Sequence, residues 1–386
     1  MNPSNAINDV NASRGGAFIL AAASLAFFSV VLVRFSIPSL LPYLVGRNGI
    51  STALGGLVIS MLWVGYTIFQ VIGGFLVDRY GYGIVIYILI MIALLNTLYP
   101  FIVNNYGALL TVQFVMGSLM AITYVSLISM VLMNYGRSGL GAGIYQSMFF
   151  LASSLSIMLS PYLFSVNHPI PFILFAAIVL ASTVPLIKVP RHGKVNGKMT
   201  IGPENIGILG MGFIRFSSGF SYLGFLGWST YFVFHVLNVP PSYSGFFAFL
   251  ASIMGSAGAI IGGYLGDRLG YVIPSILSSL LLAILICLIP KVSIIYLLVL
   301  AMLSLGFLYG FYAAPSIAIS RFTKSVGATS GFLNFMSQLG GSISPYVIGF
   351  LLQYYDFDAA LLIVGLVSIA SVITGSILIA LGHLTR

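Results

Sequence analysis

Long apolar stretches with almost no charge, divided by short clusters of polar residues, glycine and proline, make up most of the chain. A helix needs about 20 apolar residues to cross the hydrocarbon core of a bilayer. Three long stretches, each with a polar break inside it, hold two such helices apiece: 80–136 broken at 104–107, 138–187 broken at 167–169, and 206–266 broken at 238–241. Single helices are predicted at 17–41, 52–77, 272–289, 294–320, 328–353 and 359–382. The pattern therefore predicts twelve spans.

Composition places these stretches in a bilayer. Of the 386 residues, 59% are hydrophobic and only 5% are charged, whereas soluble globular chains carry about 25% charged residues. This excludes an ordinary soluble enzyme or nucleic-acid binder. The single cysteine, Cys287, cannot form an internal disulfide, and one thiol makes no metal site. We expect an all-α membrane protein that is not an enzyme, with no metal, other cofactor or nucleic-acid partner.

The basic residues predict the orientation of the spans. An even number of spans leaves both termini on one side, and cytoplasmic loops are enriched in Lys and Arg. If the termini are cytoplasmic, only Arg47 and Lys291 fall outside, and the other loop cations fall inside: Arg14, Arg79, Arg137, Lys188, Arg191, Lys194, Lys198, Arg268, Arg321, Lys324 and Arg386. The polar N-terminus lacks the order of a cleaved signal peptide. We therefore predict cytoplasmic termini, a retained first span and a location in the cell membrane.

One polar segment divides the spans into six and six. It covers 188–205, contains four basic residues, and is the only long polar stretch between spans. We interpret it as a solvated linker between six-helix bundles at 17–187 and 206–382, with cytoplasmic tails at 1–16 and 383–386. We expect a monomer surrounded by lipid.

The two halves contain a repeat. Residues 73–82 (GGFLVDRYGY) align with 262–271 (GGYLGDRLGY), identical at seven of ten positions. Parallel repeats with a site between them are typical of secondary transporters. The repeat resembles the G-x-x-x-D-R-x-G signature of the major facilitator superfamily, which implies a gating role for Gly74, Asp78, Arg79 and Gly81, and for Gly263, Asp267, Arg268 and Gly270. We add Arg137, in the turn after span 4, as a gating candidate.

Two cations lie inside predicted spans, Arg34 in span 1 and Arg215 in span 7. An Arg near the centre of a membrane helix costs about 2.5–3.5 kcal/mol to insert, so it normally faces a cavity or a partner. A guanidinium binds carboxylate or phosphate through paired hydrogen bonds. We predict that both bind an anionic substrate, although a snorkelling or helix-end role for Arg215 is a close alternative.

All six acidic residues fall in predicted loops or tails. Proton-coupled carriers generally use a titratable group within the membrane, and the two interfacial histidines, His168 and His235, are interpreted as structural. We therefore expect exchange or uniport rather than proton symport through a buried carboxylate.

A finer resemblance concerns the substrate. Arg34, the stretches 65–70 and 227–231, the turn 134–139 and the segment 330–335 resemble the organic-anion branch of the superfamily, the anion:cation symporters. That resemblance implies transport of a small carboxylate or sugar acid by alternating access. Further predicted substrate contacts are polar or aromatic residues within the spans: Tyr66, Gln70, Tyr124, Gln146, Trp228, Tyr231, Tyr312, Asn334 and Gln338. The alternatives are an exporter of apolar or drug-like compounds and, from another class, a membrane-embedded enzyme or a channel.

Overall fold

The structure is a computed structural model that describes residues 3–47, 50–134, 138–189, 205–292, 294–319, 323 and 326–384. Every regular element in these ranges is helical. We number the helical stretches H1 to H12 along the chain. Their bounds are H1, Pro3–Ser39 and Leu41–Arg47; H2, Thr52–Tyr80; H3, Ile84–Asn96 and Tyr99–Ile102; H4, Tyr106–Asn134; H5, Ser138–Val166; H6, Ile170–Leu186; H7, Ile206–Ser218, a π-helical turn Gly219–Leu223, and Gly224–Leu237; H8, Pro241–Ala248, Leu250–Ile253 and Gly255–Leu269; H9, Val272–Leu288 with a 3₁₀ turn Ile289–Lys291; H10, Ile295–Ala318; H11, Val326–Leu351; and H12, Phe357–Leu381.

The helices have the length and composition of membrane spans. Within the described part of the chain, nine of them are long and apolar enough to cross a bilayer, and two shorter apolar helices, Ile84–Asn96 and Ile170–Leu186, lie in H3 and H6. H11 occupies the remaining predicted position. An all-α membrane protein is confirmed, while the count of twelve crossings and the cytoplasmic location of the termini stay predictions.

The breaks predicted from polar clusters fall where helices end. H3 ends before Asn105, whose side chain accepts a hydrogen bond from the Ala108 amide at the start of H4 (3.1 Å). H5 ends before Pro169, and H6 follows it. H7 ends at Asn238, which adopts a left-handed conformation (φ 51°), a conformation that asparagine tolerates better than most residues.

The N-terminal tail and the linker, both predicted to lie outside the bundles, differ in how far the structure describes them. The helix of H1 begins at Pro3, so most of the N-terminal tail 1–16 is the first turns of that helix. The linker 188–205 lies, apart from its ends, outside the described residues.

The two halves pack in the same way. H2 packs on H4, H1 on H5 and H3 on H6; in the second half H8 packs on H10, H7 on H11 and H9 on H12. The pairs correspond one to one, which matches the sequence repeat. The halves meet where H2 contacts H11, H5 contacts H8 and H1 contacts H7.

The contacts between the halves are closest at one end of the bundle. We call it the Gly349 end, and the opposite end, where the repeated turns lie, the Gly81 end. A Cβ on Gly56 of H2 would collide with the Pro345 carbonyl of H11, and one on Gly349 with the Thr52 carbonyl. The Tyr346 amide also donates to Ser60 Oγ (3.0 Å). Glycine at these points allows the two backbones to touch.

Candidate functional site

Arg34 is buried in H1 against aromatic rings of H2. Its side chain is 3% exposed. The guanidinium carbon lies 4.4 Å from the centre of the Tyr66 ring and 5.4 Å from that of Trp63. Trp63 and Tyr66 are one helical turn apart, so both rings face H1. Cation–π contacts of this kind stabilise a desolvated guanidinium by about 2 kcal/mol.

Two nitrogens of Arg34 lack an acceptor within the described part of the chain. Nε and Nη2 are buried and have no hydrogen-bond partner among the residues that the structure describes. These two nitrogens share one edge of the guanidinium, and it is the edge that binds a carboxylate through two parallel hydrogen bonds. A buried charge without a partner is costly. An anion at this edge would supply the partners that the two nitrogens lack.

Aromatic residues of H1, H4 and H5 continue the wall beside Tyr66. The rings of Tyr66 and Tyr124 are 6.3 Å apart, those of Tyr124 and Tyr145 5.9 Å, and Phe27 stacks on Tyr145 at 4.3 Å. Gln146 Nε2 donates to the Tyr124 hydroxyl (3.0 Å). The structure thus brings the predicted residues Tyr66, Tyr124 and Gln146 together near Arg34.

Amide side chains lie between the halves at this level. Asn334 Nδ2 of H11 donates to Gln70 Oε1 of H2 (3.2 Å). Gln70 Nε2 and, one turn along H11, Gln338 Oε1 are buried without partners within the described ranges. Gln70 lies one turn from Tyr66 on H2. These amides therefore add an unused donor and an unused acceptor to the region.

Arg215 of H7 has a different environment. It is 5% exposed, Nε donates to the Leu333 carbonyl of H11 (2.7 Å), and Nη1 donates to Ser316 Oγ of H10 (2.7 Å). Its guanidinium also lies 5.6 Å from the Tyr312 ring centre. Two of its three nitrogens are thus occupied by the protein itself.

Trp228 and Tyr231 lie apart from Arg215. At 1.5 Å per residue, Trp228 is about 20 Å along H7 from Arg215. Its indole nitrogen donates to the Pro345 carbonyl (2.9 Å), and Tyr231 packs edge-on against it at 5.3 Å. Both therefore belong to the packing of the Gly349 end, and their predicted substrate contact stays a prediction.

The repeated turns share one backbone feature. Gly81 has φ 73° and Gly270 has φ 88°, values that glycine adopts without strain. Both turns therefore leave their helices in similar ways. The exposed Arg268 lies 4.5 Å from the Tyr264 ring centre. Gly74 and Gly263 are helical residues of H2 and H8, whereas Arg137 and the side chains of Asp78, Arg79 and Asp267 are outside the described part, so the gating roles stay predictions.

Comparisons with known proteins identify the family of this chain. The sequence pattern that defines the Major Facilitator Superfamily matches residues 23–345, and a second match covers 211–383. The chain belongs to the Major Facilitator Superfamily. Among curated proteins, none matches the sequence.

Two solved structures share the superfamily fold. A bacterial homologue of the human lysosomal transporter Spinster, in an inward-facing and occupied conformation, has a TM-score of 0.75 at 12% identity, over 95% of this chain and 96% of that one. The same homologue in an unoccupied conformation has a TM-score of 0.74 at 11% identity, over 96% of both chains. At these identities the likeness establishes the fold and nothing more specific.

Some residues of this superfamily member's site were not anticipated from sequence. Trp63 precedes Tyr66 by one turn, and Tyr145 directly precedes Gln146, so helical spacing and adjacency could have indicated both. The Leu333 carbonyl and Ser316, which hold Arg215, carry no signal in the sequence. A backbone acceptor on another helix becomes visible only when the helices are packed.

Titratable and metal-binding groups are sparse in the described structure. No group of three His, Cys, Asp or Glu residues that could hold a metal is found among the residues described. Asp356 caps H12 by accepting from the Ala359 amide (2.9 Å), and Asp358 follows in its first turn. His168 stacks on Phe164 at 4.5 Å near the Gly349 end. Asp356 and Asp358 thus lie at the start of H12, and the structural interpretation of His168 stays a prediction.

Proposed function

We propose that the protein is a carrier of small organic anions, in which Arg34 binds a substrate carboxylate through Nε and Nη2. The observation that carries the proposal is the pair of buried, unpartnered nitrogens on one edge of that guanidinium. The superfamily fold supports transport by alternating access, and the resemblance to the organic-anion branch supports a carboxylate or sugar acid.

The chemistry around Arg34 favours an anion over a cation or a neutral compound. Hydrogen bonds to a charged group contribute about 1.5–3 kcal/mol each, and a bound carboxylate also removes the cost of a buried unpaired charge. The electron-rich Tyr66 ring holds the cation but provides no counter-charge. A positively charged ligand would meet Arg34 at close range and be repelled.

The remaining features of the proposal concern topology and coupling. Bundles at 17–187 and 206–382 rock against each other in the cell membrane, with both termini cytoplasmic and the protein acting as a monomer. Transport proceeds by exchange or uniport rather than through a titrating carboxylate. We keep Tyr312, Asn334 and Gln338 as the contributions of the second half to the site, while Arg215, which already donates to Leu333 and Ser316, is not counted as a ligand contact.

The first experiment measures thermal stabilisation of the purified protein by a panel of small carboxylates, inorganic phosphate, neutral sugars and apolar amines. A ligand that binds the native state raises the unfolding temperature. We expect stabilisation by at least one carboxylate, and loss of that effect in Arg34→Ala. Lys291→Met is the matched control, because it removes an exposed cation at the Gly349 end.

Uptake into proteoliposomes then tests whether the same site is needed for transport. We expect Arg34→Ala to abolish uptake of the stabilising carboxylate and Lys291→Met to retain it. Uptake should also continue when a protonophore collapses the proton gradient. Undiminished uptake by Arg34→Ala would contradict the anion site. Thermal stabilisation by neutral or cationic compounds alone would favour the exporter of apolar or drug-like compounds. Proton entry driven by the substrate would contradict the proposed coupling.

A further inference from the structure

Arg215 of H7 connects one turn of H11 to H7 and H10 through hydrogen bonds. Its two hydrogen bonds reach the Leu333 carbonyl on H11 and Ser316 on H10, both at 2.7 Å. In the next turn of H11, Ser337 Oγ lies 3.2 Å from the Tyr312 hydroxyl of H10. A Cβ on Gly219 of H7 would collide with the Ser337 carbonyl. H7 and H10 therefore hold H11 at 333–337 from one side.

The next residue of this turn reaches the other half of the protein. Successive residues of a helix point about 100° apart, so Asn334 projects away from the face on which Arg215 holds Leu333. Its Nδ2 donates to Gln70 Oε1 of H2 (3.2 Å). Hydrogen bonds between the halves also join Tyr346 to Ser60 and Thr230 to Pro38. Among those between described residues, the Gln70–Asn334 bond lies nearest the Gly81 end.

A continuous set of contacts thus connects the two buried arginines. Arg34 lies on Tyr66, and Gln70 is one turn further along the same helix. Gln70 bonds Asn334, which adjoins the carbonyl that Arg215 holds. Each step is a contact between neighbouring groups, and the second half enters through Asn334.

We propose that Arg215 is a positioning residue: by holding the Leu333 turn of H11 it presents Asn334 to Gln70, and this amide pair couples the Arg34 site to the second half. Arg215 then acts through H11. The proposal rests on the proposed function only for the choice of ligand, since the amide pair exists whatever is transported.

Arg215→Met is a clean test, because it leaves no buried group without a partner. Ser316 Oγ also donates to the Ala313 carbonyl (3.2 Å), and the Leu333 carbonyl lies within a continuous helix. Methionine fills much of the space and is apolar. We therefore expect the variant to fold and to lose the two-point attachment of H11.

The first readout needs no ligand. Spin labels at the exposed positions Ile187 and Leu269, in a Cys287→Ser background, report the separation of the halves at the Gly81 end. We expect Arg215→Met and Asn334→Leu to broaden the distance distribution to the same extent, and the double variant to add nothing. A wild-type distribution in Arg215→Met, or additive broadening, would overturn the proposal.

The second readout separates positioning from ligand contact. In Arg215→Met we expect the Kd of the stabilising carboxylate to stay within about threefold of wild type while the maximal uptake rate falls about tenfold, a loss of roughly 1.4 kcal/mol. Arg215→Lys keeps the charge on one nitrogen, which cannot reach both acceptors, so it should not restore the rate. If Arg215→Met instead weakened carboxylate binding in parallel with the uptake rate, and Arg215→Lys restored the affinity, Arg215 would be a ligand contact. If no anion binds the wild-type protein, the proposed function fails and the distance measurement still decides this proposal.

Discussion

Arg34 and Arg215 occupy corresponding spans of two repeated halves, and both are almost fully buried. Arg34 lies on aromatic rings with Nε and Nη2 unpartnered among the described residues. Arg215 donates to a carbonyl on H11 and a hydroxyl on H10. The comparison teaches that corresponding spans do not imply a repeated role: an unpaired guanidinium is available for a ligand, whereas a paired one fixes the helices that it joins.

The largest effect should follow the loss of the unpaired cation. Arg34→Met removes two hydrogen bonds from a charged donor, together about 3 kcal/mol, so we expect kcat/KM for carboxylate uptake to fall about 100-fold. Arg34→Lys keeps the charge without the paired geometry, so its kcat/KM for carboxylate uptake should fall about tenfold. Proteoliposome uptake measures both. A wild-type rate in Arg34→Lys would show that paired geometry adds nothing to charge, and equal rates in the two variants would show that charge alone contributes nothing.

Sequence reasoning anticipated the helical fold because its determinants are local. Asn105, Pro169 and Asn238 lie at breaks predicted from polar and proline clusters. The positions of Arg34 and Arg215 within spans also followed from the sequence, because an isolated charge is conspicuous in an apolar stretch.

The difference between the two arginines could not be predicted in this way. It depends on the Leu333 carbonyl and the Ser316 hydroxyl, which lie far from Arg215 in sequence and meet it only through helix packing. The π-helical turn Gly219–Leu223 likewise carries no local signal that distinguishes it from ordinary helix. The placement of Trp228 at the Gly349 end, away from Arg215, also depends on tertiary structure.

A second prediction disturbs the Arg215 region without touching either arginine. In Gly219→Ala the new methyl group collides with the Ser337 backbone, and overpacking of this kind costs about 1–3 kcal/mol. H7 and H11 should separate, so we expect uptake to fall about tenfold, with carboxylate affinity retained. Gly143→Ala is the matched control, since a Cβ there meets nothing within 4 Å. A similar loss in both variants would point to a general effect of alanine in these helices.

A smaller effect is expected where a hydrogen bond supports the aromatic wall near Arg34. Gln146→Leu removes the donor to the Tyr124 hydroxyl, a neutral bond contributing about 0.5–1 kcal/mol. We predict that the carboxylate binds threefold more weakly, which is a loss of about 0.65 kcal/mol in binding free energy. Tyr124→Phe should match it, and the double variant should be no weaker than either. Additive losses, measured by ligand-induced thermal shift, would mean that the two side chains act separately.

The smallest effect on binding should come from the Gly349 end. Trp228→Phe removes the hydrogen bond to the Pro345 carbonyl, so we expect stability to fall by about 1 kcal/mol. Carboxylate affinity should stay within about twofold, because the indole nitrogen of Trp228 already donates to the Pro345 carbonyl. Thermal unfolding and a binding titration check the two parts, and a tenfold loss of affinity would restore Trp228 as a ligand contact.

The most direct test is a titration of one carboxylate against wild type, Arg34→Met and Arg215→Met under identical conditions. The account predicts a Kd about 100-fold weaker in Arg34→Met, from loss of the two hydrogen bonds. In Arg215→Met it predicts a Kd within about threefold of wild type, because that guanidinium is already bound by Leu333 and Ser316. Equal losses in the two variants, or a larger loss in Arg215→Met, would contradict the division of roles between the arginines.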